Sequence, residues 1–295
     1  MKKVLFATTA LIATAGVASA DITLTGSASI GIQSVNSGNQ TATITETDFN
    51  IIASGTADNG YTFGAQTGID TQRHGETGAA DANANQGDAE AYVAGPWGRI
   101  TVGAVDAATD GTGIGDIGHQ GLGVDDVAER NKLAGNGTGN TAGADIVYTG
   151  SFAGAGVTVS YSSVSEDTGV MLSFAVDALD IKVGVQNNRN SASDTDTTTN
   201  LTVGTTVGGI SLTAYMEQFD DDDANTTTDG YGVFASYAMD AATTISVAYA
   251  DNDAVADAAY GVGMNYNLGG GLALNGGVAS VSDNTVWDLG LSMSF

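Results

Sequence analysis

Six carboxylates, Asp106, Asp110, Asp116, Asp125, Asp126 and Glu129, fall within residues 106–140, a stretch with no clear strand pattern. Arg130 and Lys132 are the basic residues set against them. A loop this long inside a folded chain is usually functional. Carboxylates gathered on it would concentrate cations and repel anions, most strongly where low-dielectric walls focus their field. His119 lies in the same stretch, but a lone histidine among glycines reads as a polar loop residue rather than a metal ligand.

A second acidic pattern is Asp221, Asp223, Asn225, Thr227 and Asp229, spaced like the odd positions of an EF-hand calcium loop. Thr226 stands where the central glycine is needed and Gly232 where the bidentate glutamate belongs, so the motif fails. Loose bridging of Asp221, Asp223 and Asp229 by external Ca2+ or Mg2+ stays open, and no other cofactor is expected. The only two histidines, His74 and His119, lie in loops without a nucleophile motif. Glycines 111–123 lack the strand-to-helix context of a dinucleotide site. The chain is not expected to be an enzyme.

Composition narrows the class further. The 295 residues include 42 glycines, one proline and no cysteine, with 8 basic against 34 acidic residues, a net charge of −26. Without cysteine there is no disulfide framework and no thiolate chemistry. With this charge, no nucleic-acid partner is expected, because phosphates need basic contacts. Residues 1–20 read as a secretory signal peptide: Lys2 and Lys3, an apolar run from Val4 to Val17, then Ala18-Ser19-Ala20 as the cleavage site. The mature unit is then 21–295.

The elements that must carry these loops have period two. In Tyr260 to Leu268 one face is Tyr260, Val262, Met264, Tyr266 and Leu268, and the other is Gly261, Gly263, Asn265 and Asn267. The C-terminus alternates likewise, with Trp287, Leu289, Leu291, Met293 and Phe295 against Asp288, Gly290, Ser292 and Ser294. Tight turns at 57–60, 95–98, 153–156, near 178, at 208–209, 240–242 and 269–271 alternate with longer polar loops. The longer loops are 34–42, 72–87, 106–140, 165–167, 189–197, 220–228, 252–256 and 282–284. Seven short turns and eight longer loops join sixteen antiparallel strands. That leaves about 17 residues for each strand and its connection, room for a tilted membrane strand of roughly 9–11 residues.

Aromatic placement separates a membrane barrel from a soluble sandwich. Tyr231 and Tyr237 bracket Val233 and Ala235, Tyr260 and Tyr266 bracket Val262 and Met264, and Trp287 and Phe295 bracket Leu289, Leu291 and Met293. Such spacing covers roughly 15–20 Å of tilted strand, approaching the apolar band between two aromatic girdles. The opposite faces are Gly, Ser, Thr, Asn, Asp and Gln, too polar for a dry core. A sandwich packed on its apolar face would leave the paired aromatics without a reason. A sheet that spans lipid must close on itself.

The leader with Lys2-Lys3, the opening strand Asp21-Ile22-Thr23-Leu24-Thr25-Gly26 and the terminal Phe295 resemble a Gram-negative general porin. The segments 53–65, 95–103 and 268–272 extend the match, which is nearest to the Rhodobacter-type porins of alphaproteobacteria. The resemblance implies an outer-membrane channel for passive diffusion of small hydrophilic solutes, set among outer-membrane lipid and lipopolysaccharide. It implies a homotrimer of 16-stranded antiparallel transmembrane β-barrels, each with a long third loop, here 106–140, folded into the lumen. It also implies that Phe295 is read by the outer-membrane insertion machinery.

The family pairs loop acids with basic side chains on the facing wall, and this chain departs from that pattern. Thr45-Glu46-Thr47-Asp48 stands on the second strand where arginines are expected, and the first strand offers Ser27 and Ser29. Arg99 and Lys182 are out of phase with apolar neighbours and so face the lumen, and Arg73 enters from the second loop. The parity of Glu46 and Asp48 stays open, because Ile44 and Ile52 share one phase and Phe49 and Ile51 the other. With so few cations on the wall, the expectation is a cation-leaning pore. The competing class is a secreted, calcium-dependent, β-rich adhesion or surface-layer protein, with the same leader, acidity and glycine-rich loops.

Overall fold

The computed structural model describes residues 21–35, 40–70, 89–131, 133, 144–189 and 195–295. The leader 1–20, Arg73, Lys132 and the end of the 106–140 loop lie outside them. The alternating segments form β1 (Asp21–Val35), β2 (Gln40–Thr56), β3 (Thr62–Asp70), β4 (Ala89–Gly95) and β5 (Gly98–Val105). After the long loop come β6 (Ala144–Phe152), β7 (Ala155–Tyr161), β8 (Thr168–Val176), β9 (Leu179–Arg189) and β10 (Thr195–Val207). The last six are β11 (Ile210–Asp221), β12 (Thr226–Ala238), β13 (Thr243–Asn252), β14 (Ala259–Gly269), β15 (Leu272–Val281) and β16 (Asn284–Ser294).

Each strand pairs antiparallel with its sequence neighbours, and β1 closes the barrel on β16 from Ser27↔Ser294 to Gln33↔Asp288. Closure leaves no unpaired edge, which a hydrocarbon environment would penalise by several kcal/mol for each open backbone group. Most short turns, the start of β1 and the end of β16 share one rim of the barrel, and the longer loops share the other, where the expected loop 282–284 is instead a two-residue turn of Ser282 and Asp283. One of the two-residue connections shows its chemistry: Val207 pairs with Ile210, and Gly208 and Gly209 both take positive φ, 60° and 83°. A two-residue turn of type I′ needs that conformation twice, and glycine adopts it without strain.

The outer surface is apolar. Val233, Val247, Val262, Val278 and Leu289 are all exposed there, between two rows of aromatics. Near the longer loops Tyr231 stacks on Tyr249 at 6.2 Å, and Tyr249 pairs with Tyr260. Near the short turns Tyr237, Tyr266 and Phe295 are exposed, Phe295 lies 6.4 Å from Phe49, and Tyr61 meets Trp97 edge-on. Trp287 pairs with Val278 on the same outer face.

The inner face is drier than its polar sequence predicts. A buried apolar cluster sits within the bore: Ile114, Ile117, Val124, Val127 and Ala128 of the long loop pack on Tyr215, Ala248, Ala250, Ala259 and Ala279. Small alanines on β13–β15 leave room for the loop's branched side chains. Each such Ile or Val taken from water contributes roughly 1.5–3 kcal/mol. The amphipathic window 124–133 is helical only over α1 (Asp126–Glu129), a single turn with Val127 and Ala128 buried.

Candidate functional site

The described part of the long loop runs along the inner wall and is tied to it strand by strand. The Ala108 N–H donates to Ser160 Oγ on β7 (2.8 Å), and Lys182 Nζ on β9 donates to the Gly111 carbonyl (2.6 Å). The His119 N–H reaches Asp288 Oδ1 on β16 (3.1 Å), and the Gly123 N–H reaches Gln33 Oε1 on β1 (2.9 Å). The chain then turns back. Arg130 donates to the Asp257 carbonyl and to Ser282 Oγ, at 2.8 and 3.0 Å. The Leu133 N–H donates to Glu217 Oε1 on β11 (2.6 Å), whose other oxygen accepts the Tyr215 hydroxyl. Glu217 and Asp288 are both almost fully buried.

What the loop leaves open is acidic on both sides. A cavity of about 480 Å³ separates the loop residues Asp116, His119 and Gln120 from Ser27, Ser29, Glu46 and Asp48 on β1 and β2. β1 and β2 pair without a register shift, Ser29 opposite Glu46 and Ser27 opposite Asp48, and the Ser27 hydroxyl donates to Asp48 Oδ2 at 3.3 Å. The parity left open by the sequence is thereby decided: Glu46 and Asp48 share the inner face with Ile44 and Ile52. A second cavity, about 360 Å³, holds Asp106 and Asp110 of the loop with Glu90 of β4 and Thr101 of β5.

The basic side chains stand elsewhere. Arg99 lies 3.7 Å over the Tyr92 ring, with its Nε on Thr101 Oγ1 at 3.0 Å. Lys182 and Arg130 hold the bonds given above, and Arg189 pairs with Glu166. Among the described residues, no lysine or arginine lines the cavity of Glu46, Asp48 and Asp116.

Asp126 and Glu129 are exposed on the returning leg, apart from both cavities. Asp125 is half-buried beside them. Burial pushes its carboxyl up from 3.8 to about 7; the Gly121 N–H that it accepts opposes this, and the charges of Asp126, Asp116 and Glu129 add to it. Because folding raises this pKa, its stabilising contribution is complete below the unfolded value and is lost as pH rises through about 7. The same titration adds a negative charge to the loop. Cation preference should therefore grow between pH 5.5 and 8, and Asp125→Asn should flatten that rise. Reversal potentials across the pH series test this; an unchanged slope in the variant rejects it.

On the β11–β12 hairpin, Asp221 pairs with Thr226 on the phase of inward Glu217, whereas Asp229 pairs with Gln218 on the phase of outward Tyr231. Asp221 Oδ1 accepts the Ala224 N–H and Asp229 Oδ1 accepts the Gln218 amide. Among the described residues, no three acidic or histidine side chains form a metal-binding group. His119 is buried, with Nδ1 on the Gln120 carbonyl at 2.9 Å.

Sequence reasoning did not single out Asp288, Glu217 or Glu90. Each had a signal in its phase. Asp288 alternates with outward Trp287 and Leu289, Glu90 with Ala91 and Val93, and Glu217 follows Tyr215 by two residues. What the phase lacks is the partner across the bore.

A sequence model of the Gram-negative porin family matches residues 7–285 of the chain. A mutant of the porin of Rh. blastica superposes with a TM-score of 0.71 at 22% identity, over 93% of this chain and 100% of that one. A triple mutant of the Rhodopseudomonas blastica porin gives 0.72 at 21% identity, with the same coverage. A porin structure refined at 1.8 Å gives 0.71 at 21% identity, again over 93% and 100%. No curated protein matches the chain.

Proposed function

Because the chain belongs to the Gram-negative porin family and so forms an outer-membrane channel for passive diffusion of small hydrophilic solutes, we propose that its lumen favours cations. Family and fold are those of a channel rather than an enzyme, and a secreted calcium-dependent adhesion protein is set aside with them. The reading rests on one observation: Glu46 and Asp48 on the wall face Asp116 on the loop across a single cavity, with no described lysine or arginine lining it. A bore with opposed charges would set up a transverse field. A bore with carboxylates on both sides lowers the potential of the whole passage, so cations enrich and anions are repelled. The acids of the second cavity, Asp106, Asp110 and Glu90, extend the same sign.

The channel's surroundings belong to this proposal too. The exposed apolar band between aromatic rows suits lipid and the contacts of a homotrimer, and lipopolysaccharide would meet the longer loops. Phe295 is exposed at the short-turn rim, where its backbone pairs with Gly26, a position open to the outer-membrane insertion machinery. The purified protein in a planar bilayer under a KCl gradient should show a reversal potential of cation-selective sign. A clear chloride preference would end the proposal.

A further inference from the structure

The hydrogen bonds that hold the loop explain where it is attached, but not how close it lies to the wall. That distance is set by glycine. Inward-facing Gly263 on β14 lies so near the loop that a Cβ there would stand 2.4 Å from the Gly118 nitrogen and 3.1 Å from Ile117 Cβ. At Gly277 on β15 the Cβ would meet Val124 Cγ1 of the loop at 2.8 Å and, equally near, the Val262 carbonyl of β14. At Gly290 on β16 the three nearest atoms all belong to the His119 ring, the closest, Cδ2, at 1.9 Å. Gly204 on β10 also faces inward, yet its nearest neighbour would be 3.8 Å away. Bare backbone is thus required on three adjacent strands under residues 117–124, and again at Gly230 and Gly232 on β12 under Asn131, but not at Gly204.

We propose that Gly263, Gly277 and Gly290 are positioning residues of the channel, forming a track that seats the loop flush against the wall and so sets the width of the bore. Strands β14–β16 are paired on both sides in a closed sheet, so they cannot yield without losing ladder bonds. The loop segment is held by far fewer bonds, and its free side is the lumen. A methyl group at Gly290 therefore drives His119 inward, toward Glu46 and Asp48 across the cavity. An ordinary contact begins near 3.4 Å, so the ring must move by about 1.5 Å. Glycine is retained here for close approach and not for its conformational freedom, since neither Gly263 nor Gly290 has a positive φ.

This inference rests on the channel reading but not on its charge preference: conductance reports the seat, whereas the sign of the reversal potential reports the carboxylates. The test measures single-channel conductance of the full-length protein carrying Gly290→Ala, Gly263→Ala or Gly204→Ala. The first two should conduct less than the parent, and Gly204→Ala should match it. His119→Ala combined with Gly290→Ala should return conductance to that of His119→Ala alone, because the clash is with the ring. The proposal is overturned if Gly290→Ala conducts as the parent or better, or if removing the ring gives no rescue. Should Gly290→Ala fail to fold, a folded double variant still supports the seat. A double variant that fails while His119→Ala folds overturns it.

Discussion

Replacing Glu46, Asp48 and Asp116 together by Gln, Asn and Asn should abolish most of the channel's cation preference while leaving its conductance close to that of the parent. The amides keep the volume and polarity of the carboxylates and remove only their charge. The three line one cavity, two on the wall and one on the loop, so a permeating ion passes close to all of them. A unit charge at 4 Å acts with about 1 kcal/mol even at the dielectric constant of water, and with more between low-dielectric walls. Three such charges are enough for a severalfold discrimination between potassium and chloride. Salt supplies an internal check, because the screening length falls from about 10 Å at 0.1 M to about 3 Å at 1 M. The parent's preference should shrink over that range, and the triple variant should show little to lose. Reversal potentials at the two salt levels measure this. A triple variant as selective as the parent would place the selecting charge elsewhere, at the mouths or in the second cavity of Asp106, Asp110 and Glu90. By contrast Arg99→Gln should shift the potential less, since that guanidinium lies against Tyr92 and Thr101 and does not line the cavity of Glu46, Asp48 and Asp116.

The second large effect is expected at Asp288, which touches no solute in this arrangement. Its carboxylate is buried and accepts the His119 N–H, the bond that pins the loop at its far wall. Asp288→Ala leaves that N–H without its acceptor in a dry place, at a cost of roughly 1–3 kcal/mol. The loop should then leave its seat intermittently, seen as open-channel noise and a lower temperature for loss of the compact form on gels. Asp288→Asn keeps a carbonyl oxygen at the same position and drops a buried charge, so it should hold the loop nearly as well as the parent. The comparison separates anchoring from charge. An alanine variant as quiet and as heat-resistant as the parent would show that the remaining contacts of the loop suffice without this one.

Much of the barrel could be read from the chain itself, and the reason is local. A strand repeats every two residues, so the alternation around Tyr260–Tyr266 and Trp287–Phe295 already separates an oily face from a polar one. Turns announce themselves through residues such as Gly208 and Gly209, whose backbone conformation few other residues adopt. The acidic loop was equally visible, as a strandless stretch rich in aspartate. Phase alone turns Arg99 and Lys182 away from their apolar neighbours; in the fold Arg99 bonds Thr101 and Lys182 bonds the Gly111 carbonyl of the long loop.

Only the folded chain decided which groups meet. Glu46 and Asp48 could not be assigned a face while Ile44 argued for one phase and Phe49 for the other. The inner face at Ile44 is buried because the loop lies over it, with Leu122 against the neighbouring Gly31. His119 finds Asp288 across 169 residues of sequence, and Leu133 finds Glu217 across 84. Periodicity is a property of a strand and its nearest neighbours, whereas a loop's resting place depends on residues brought opposite one another by closure of the whole sheet. The sequence could therefore say that the charges belonged to a water-filled barrel, and the tertiary structure alone could say which of them face one another across a single cavity.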